Sequence, residues 1–414
     1  MTQQDDTVLI LGGGQAGAQC AASLRRFGWE GQVIIAGEEP HPPYQRPPLS
    51  KDYLSGAIEE DRLWLQPPET WLAQNVSLRL GLRAEAIDRK AKTVRFDDGS
   101  EQDYTHLVIA TGARVRPLPV SGAELDGVRY LRTIADVDQL KSDVKPGKRI
   151  AIIGGGYIGL EAAAVATKLG AEAVVIEAQP RCLARVAVPE LSSFYREAHQ
   201  RRGVEFLCDQ QVSALTGQDG RITGVELASG DIIPCDSALV GIGVIPNAEL
   251  AETAGLMTGN GIHVDETCRT QDASIFAIGD VAAQPFWLTG ERLRIESVPN
   301  AIEQGKQAAA AICAAPAPKA EVPWFWSDQF ELKLQTAGLF QGADQLVERV
   351  TADEQRSFFH LKDGKLIAAD CINDPQSFMA AKMIIAKGGR PDPAALGDPD
   401  QPMKDIMKAA MAAA

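Results

Sequence analysis

The chain carries one phosphate-cradling signature twice. Gly12-Gly13-Gly14-Gln15-Ala16-Gly17 and Gly154-Gly155-Gly156-Tyr157-Ile158-Gly159 each follow a short apolar run and open into a stretch with helical spacing. A single G-x-G-x-x-G is a weak signal, because glycine-rich turns arise for many reasons. Two copies, each with strand, helix and a downstream acid in place, constrain the chain to two βαβ units and imply two dinucleotides on one polypeptide. In such a unit the glycines (Gly12, Gly14 and Gly17; Gly154, Gly156 and Gly159) permit a tight turn, close approach of backbone to a pyrophosphate, and close packing of helix on strand.

The surrounding sequence supports that division. Thr7–Leu11 is a continuous apolar run, as expected of a parallel strand buried on both faces, and a second strand spans 32–36, ending near Glu38. The second copy runs from a strand over 149–153 through a helix over 160–169 to a strand over 173–177. The stretch 107–112 and the Arg/Pro-rich loop 113–120 read as a crossover into the second domain, and 238–247 as the return. After the Pro/Ala-rich linker 314–319 the composition changes, and alternation typical of an antiparallel sheet is followed by a late helix. The expected architecture is α/β. It has two Rossmann-like dinucleotide-binding domains, one discontinuous (1–113 and 244–322) and one at 114–243, plus a smaller α+β domain at 323–414.

Glu38 stands about 20 residues beyond Gly17, where a carboxylate accepts hydrogen bonds from ribose hydroxyls. Glu177 occupies the same place in the second copy, and its charge favours a free 2′-hydroxyl over a 2′-phosphate, hence NADH over NADPH. Arg181 and Arg185 nearby either soften that bias or are simply solvated. Asp280 ends an apolar strand, as an acid does when it meets the ribityl chain of a flavin. The stretch 296–305 reads as a helix start, with Ser297 as N-cap and Pro299 in the first turn. Its positive end would stabilise charge on a reduced flavin, or it is an ordinary capped helix. Paired prolines stiffen 44–51 and fix Lys51, for which Glu161 is a natural ion-pair partner across the domain boundary. On spacing alone a surface lysine is the simpler reading.

The net charge of −14 disfavours non-specific binding to nucleic acid or anionic membranes. No apolar run reaches the roughly 20 residues that span a bilayer, and no secretion signal is readable, so a cytoplasmic protein is expected. The seven cysteines show neither C-x-x-C nor C-x4-C spacing, so no metal site is expected.

Taken together, several motifs carry a specific resemblance. Besides the glycine clusters, they are Arg46-Pro-Pro-Leu-Ser-Lys51, Ala110-Thr-Gly112, Tyr130-Leu-Arg-Thr133, Gly154-Gly-Gly-Tyr-Ile-Gly-Leu-Glu161, Ala277-Ile-Gly-Asp280, Arg294-Ile-Glu-Ser-Val-Pro-Asn300 and Trp324-Phe-Trp-Ser-Asp-Gln329. Over essentially its whole length the chain resembles the FAD-dependent, NADH-linked ferredoxin reductases of bacterial ring-hydroxylating dioxygenases and cytochrome monooxygenases. Those enzymes are similar to glutathione reductase in fold. The resemblance implies FAD contacts at Glu38, Lys51, Arg132, Asp280 and Val298, with Ala84 through its backbone and Trp326 near the flavin. NADH contacts are expected at Tyr157, Ile158, Glu177 and Arg185 beside the second glycine cluster, and the resemblance pairs Lys51 with Glu161. The family often carries Asp where Glu38 stands, and Glu keeps the charge. The implied partner is a [2Fe-2S] ferredoxin, docked by Lys306, Lys382 and Lys404 unless these are merely solvated lysines. A monomer or a homodimer is compatible with this reading.

Disulfide reductases of the same fold need a cysteine pair beside the flavin, and the first 180 residues hold only Cys20. A rubredoxin reductase, and an NADH-sensing flavoprotein resembling apoptosis-inducing factor, remain alternatives. The reading of Glu177 is testable: a Glu177→Ala variant should lose much of its preference for NADH over NADPH. Unchanged ratios of kcat/KM for the two donors would refute the assignment.

Overall fold

A computed structural model describes residues 5–412. These divide into two compact units, one of residues up to 45, 60–114 and 245–321, the other of 46–59, 115–244 and 322 onward.

The first unit is built on a five-stranded parallel sheet in the order Ile275–Ala277, His106–Ile109, Thr7–Leu11, Gln32–Gly37, Val76–Leu80. Its central strand is buried at all five positions, which is why the sequence from Val8 to Leu11 is continuously apolar rather than alternating. Each fully buried Leu or Ile of such a strand contributes about 2 kcal/mol relative to exposure. Two helices of this unit, Gln15–Arg26 and Val298–Ile312, approach so closely that a Cβ on Gly305 would come within 3.0 Å of the Ala16 carbonyl oxygen.

The second unit repeats the plan with Glu205–Cys208, Glu172–Glu177, Arg149–Ile153, Ser237–Val240 and Val128–Arg129 in one parallel sheet. The glycine-loop strand is central in both sheets. The repetition extends beyond the glycine motifs: each copy inserts a three-stranded antiparallel sheet at the same point of its chain path. These are Ala84–Asp88, Thr93–Phe96 and Glu101–Asp103 in one unit, and Val212–Gln218, Arg221–Leu227 and Ile232–Pro234 in the other.

Two segments that the sequence assigns elsewhere fall in the second unit. Residues 46–59 are held there by Tyr53, whose hydroxyl donates to Asp138 Oδ1 at 2.9 Å and whose ring lies 3.3 Å from Lys141 Nζ. The C-terminal segment forms a five-stranded antiparallel sheet in the order Trp324–Gln329, Leu332–Gly338, Lys365–Ile372, Gln355–Lys362, Gln345–Ala352. Three helices follow where one is expected: Pro375–Ala386, Pro393–Gly397 and Met403–Ala412. Asp374 and Asp392 cap the first two, each with proline in the opening turn, so aspartate and proline mark helix starts that apolar periodicity does not.

The last turns are closed by Arg349, which is 4 % exposed. Its guanidinium donates to the carbonyls of Leu396 (3.3 Å), Asp398, Pro399 (3.1 Å) and Gln401 (2.7 Å). Arg349→Met would leave these carbonyls without their donor at a cost of about 3 kcal/mol. The variant should melt well below the wild type in a thermal scan followed by circular dichroism; an unchanged midpoint would show that the clamp is dispensable.

Candidate functional site

The two glycine loops are built alike. Gly12 has φ +122°, donates its N–H to Ala36 O at 2.7 Å, and a Cβ there would lie 2.2 Å from Ala110 O. Gly154 has φ +110°, donates to Ile176 O at 2.8 Å, and its Cβ would lie 2.4 Å from Gly241 O. Any side chain at these positions collides with a backbone carbonyl in a conformation that L-residues avoid. At Gly17 and Gly159 a Cβ would strike the carbonyl oxygens of Gly12 (2.2 Å) and Gly154 (2.3 Å), so helix and loop touch backbone to backbone. Gly13, Gly14 and Gly156 instead have nothing within 4 Å on the side a Cβ would take.

The helices Gln15–Arg26 and Tyr157–Lys168 start at Gly14 and Gly156 with no side-chain cap and no acid in the first turn. The helices capped by Thr133, Ser297, Asp374 and Asp392 have such a cap. Bare N–H groups beside open space fit a nucleotide diphosphate at each loop.

Glu38 is exposed just beyond the strand Gln32–Gly37, whose last residue abuts the first loop: a Gly37 Cβ would lie 3.5 Å from Gly13 N. Glu177 is more tightly held. Its Oε2 accepts from Gly155 N at 2.7 Å and its Oε1 from Gln179 N at 2.8 Å. A carboxylate offers about four acceptor directions, so Glu177 retains capacity for ribose hydroxyls. The two neighbouring arginines differ. Arg181 braces its own loop through the carbonyls of Ala187 and Ala184 and the Ser192 hydroxyl. Arg185 is exposed, with its guanidinium beside Gly243. Ile158 is exposed, and the Tyr157 ring packs on Phe325 with centroids 4.8 Å apart.

Asp280 does not end a strand. The strand stops at Ala277, and Asp280 lies in the 3-10 turn Gly279–Val281. Gly279 breaks the run with φ +76°, and its N–H goes to Gln304 Oε1 at 2.7 Å. Gln304, 2 % exposed, thereby ties this turn to the helix Val298–Ile312. That helix is capped by Ser297 Oγ, which accepts from Asn300 N, and Val298 is its first residue. Ala84 opens the strand Ala84–Asp88.

Four of the sequence motifs converge within the second unit. Arg46 Nη1 donates to Arg132 O at 2.5 Å, and Asp136 Oδ2, which accepts from Thr133 N at 2.8 Å in a capping box, also accepts from Arg132 N at 3.0 Å. Lys51 Nζ lies 2.7 Å from Glu161 Oε2 and 3.2 Å from Pro47 O. The Glu161 side chain is 5 % exposed. It also accepts from the hydroxyls of Ser50 (2.5 Å, on Oε2) and Ser327 (2.6 Å, on Oε1). An ammonium and two hydroxyls therefore compensate a carboxylate removed from water. Gly12, Gly14, Gly17, Glu38, Ala84, Asp280 and Val298 lie in the first unit; Lys51, Arg132 and Trp326 lie in the second.

The contributions of Arg46, Ser50, Asp136, Gln304 and Ser327 are not visible from spacing, although most lie inside or beside the quoted motifs. Trp326 packs at 5.5 Å on Trp324, and Lys382 Nζ lies 5.4 Å from the Trp324 ring centroid, a cation–π contact. Lys404 is exposed on Met403–Ala412, and Lys306 is half-buried on Val298–Ile312. Cys20 is fully buried, and burial pushes its thiol far above the ordinary range, so it supplies no thiolate. Among the described residues no group of three or more His, Cys, Asp or Glu side chains could hold a metal ion. No described helix is long and apolar enough to cross a membrane.

Comparison with known proteins agrees with this geometry. Residues 6–305 match the pyridine nucleotide-disulphide oxidoreductase family, and residues 324–407 match the reductase C-terminal family. The chain is 48% identical over 385 residues to the probable ferredoxin reductase CtmF of Castellaniella defragrans, covering 92% of this chain and 94% of that protein. It is 40% identical to putidaredoxin reductase CamA of Pseudomonas putida, covering 99% and 98%. Among solved structures, the reductase in a covalent putidaredoxin reductase–putidaredoxin complex superposes with a TM-score of 0.97 at 39% identity, covering 99% of this chain and 100% of that one. Glycine loops, sheet order and full-length similarity point the same way: the chain belongs to the pyridine nucleotide-disulphide oxidoreductase family.

Proposed function

We propose that this protein is an FAD-dependent NADH:ferredoxin oxidoreductase, passing electrons from NADH to a [2Fe-2S] ferredoxin that feeds a bacterial oxygenase. The observation that carries the reading is the pair of uncapped glycine-loop helices, each beside a strand-end acid, in a chain similar over its whole length to ferredoxin and putidaredoxin reductases. The setting is the cytoplasm, in keeping with free, mostly buried thiols.

In this reading the loop at Gly12, Gly14 and Gly17 holds the FAD diphosphate through backbone N–H groups, and Glu38 takes the adenosine ribose. The loop at Gly154, Gly156 and Gly159 does the same for NADH, with Glu177 on the ribose, Arg185 beside it, and Tyr157 and Ile158 at the helix start. Asp280, Val298, Ala84, Arg132 and Trp326 complete the contacts to FAD. Bound FAD supplies the conversion of a two-electron donor into single electrons for the iron–sulfur partner. The protein supplies orientation and charge. Lys51, held in place by Glu161, offers positive charge where electron density accumulates on reduction. No nucleophile or general acid is required, and Cys20 is withdrawn from any such role by burial.

Lys306, Lys382 and Lys404 are the proposed docking cations for an acidic ferredoxin. A rubredoxin reductase would share every nucleotide contact and differ only in that surface. The purified protein with NADH should reduce ferricyanide directly but cytochrome c rapidly only when a [2Fe-2S] ferredoxin is added. Lys306→Glu should slow the ferredoxin-dependent rate and spare the ferricyanide rate. Cytochrome c reduction indifferent to ferredoxin would contradict the reading, and a response confined to rubredoxin would favour the alternative.

A further inference from the structure

Glu161 is gripped from a second direction, one that the Lys51 ion pair does not explain. Behind Ser327 the hydrogen bonds continue: Gln329 Nε2 donates to Ser327 Oγ at 3.1 Å, and Gln329 Oε1 lies 2.8 Å from His199 Nε2. Ser327, Gln329 and His199 are each 0% exposed, so no solvent competes for these groups. The proton order along the series is forced from its acceptor end. A carboxylate can only accept, so Ser327 donates to Glu161 Oε1. The Ser327 oxygen then accepts the amide of Gln329, which leaves the Gln329 oxygen facing His199, and the ring must donate from Nε2. Burial holds His199 down, to about 4, so the ring at the far end is neutral near pH 7. Every bond in the series points its hydrogen towards Glu161.

We propose that Ser327 and Gln329 are positioning residues for the Lys51–Glu161 pair: the series from His199 through Gln329 and Ser327 fixes the Glu161 carboxylate, and through it the Lys51 ammonium, in one orientation. Ser50 and Lys51 both bind Oε2, so Ser327 on Oε1 is the contact that stops the carboxylate from rotating about its own axis. Ser327 and Gln329 sit two apart on the strand Trp324–Gln329 and share one face with Phe325, which packs on Tyr157. Trp324, Trp326 and Asp328 take the other face. One face of this C-terminal strand thus serves Glu161 while the other carries Trp326. The inference rests on the reading of Lys51 as a group that serves the reductase site.

The test uses the flavin-loaded protein with Ser327→Ala, Gln329→Met and Ser327→Thr. Lys51 reactivity is read by trace acetylation and mass spectrometry against the exposed Lys387, a readout that needs no turnover. In parallel, kcat and KM for NADH are measured with ferricyanide, together with melting temperature. Loss of one hydrogen bond to a charged group should raise Lys51 labelling and lower kcat roughly fivefold in Ser327→Ala, with KM unchanged. Gln329→Met should shift both in the same direction by less, and Ser327→Thr should restore both. Should Ser327→Ala fail to fold, Gln329→Met carries the test. Labelling that stays at the wild-type level in the folded variants, whatever happens to melting temperature or turnover, overturns the proposal. If the wild type itself does not oxidise NADH, the reductase reading falls, while raised labelling in the variants still upholds the positioning role.

Discussion

The architecture depends on the contact of a glycine with a carbonyl from the neighbouring strand's exit. Gly12 against Ala110 O and Gly154 against Gly241 O occur at the same point of two sheets whose four corresponding strands are arranged alike. That approach turns the chain sharply from strand to helix and leaves the first-turn N–H groups uncapped beside open space. The sharp strand-to-helix turn and the placement of the helix start follow from one steric condition satisfied twice. A methyl group at either glycine would lie well inside van der Waals contact and could not be relieved by a side-chain rotation, since the obstacle is backbone.

The second organising element is polar and lies in the core. Glu161 is buried with its charge, and isolated burial of a carboxylate costs several kcal/mol. Lys51, Ser50 and Ser327 offset that cost, and they come from two segments far from Glu161 and from each other in the chain. The segment 46–59 and the strand Trp324–Gln329 are therefore bound to the second dinucleotide-binding sheet by the need to satisfy one carboxylate as well as by apolar packing. Specificity of assembly and placement of the Lys51 ammonium share the same bonds.

How much of this was legible differs by feature, for physical reasons. Parallel strands buried on both faces announce themselves as unbroken apolar runs, so Thr7–Leu11 and Arg149–Ile153 are readable to the residue. The antiparallel inserts are not, because strands such as Glu101–Asp103 are half-exposed and polar, without periodic signal. Asp280 reads as a strand end because Ala277-Ile-Gly-Asp280 continues an apolar run. The break comes from Gly279 and from Gln304, whose amide sits 25 residues away. The pairing of Lys51 with Glu161 is suggested by family resemblance, whereas spacing alone favours a surface lysine. Contacts such as Ser327 on Glu161 join residues 166 apart and leave no trace in local pattern.

The central claim is that the two glycine nests hold a flavin and a nicotinamide dinucleotide on one chain. Its most direct test is the visible spectrum of the purified protein during anaerobic titration with NADH. The account predicts yellow protein with flavin absorption bands that bleach in proportion to added NADH and reach completion at stoichiometric donor. A colourless protein that takes up no FAD on reconstitution, or a flavin whose bands persist under excess NADH, would contradict it.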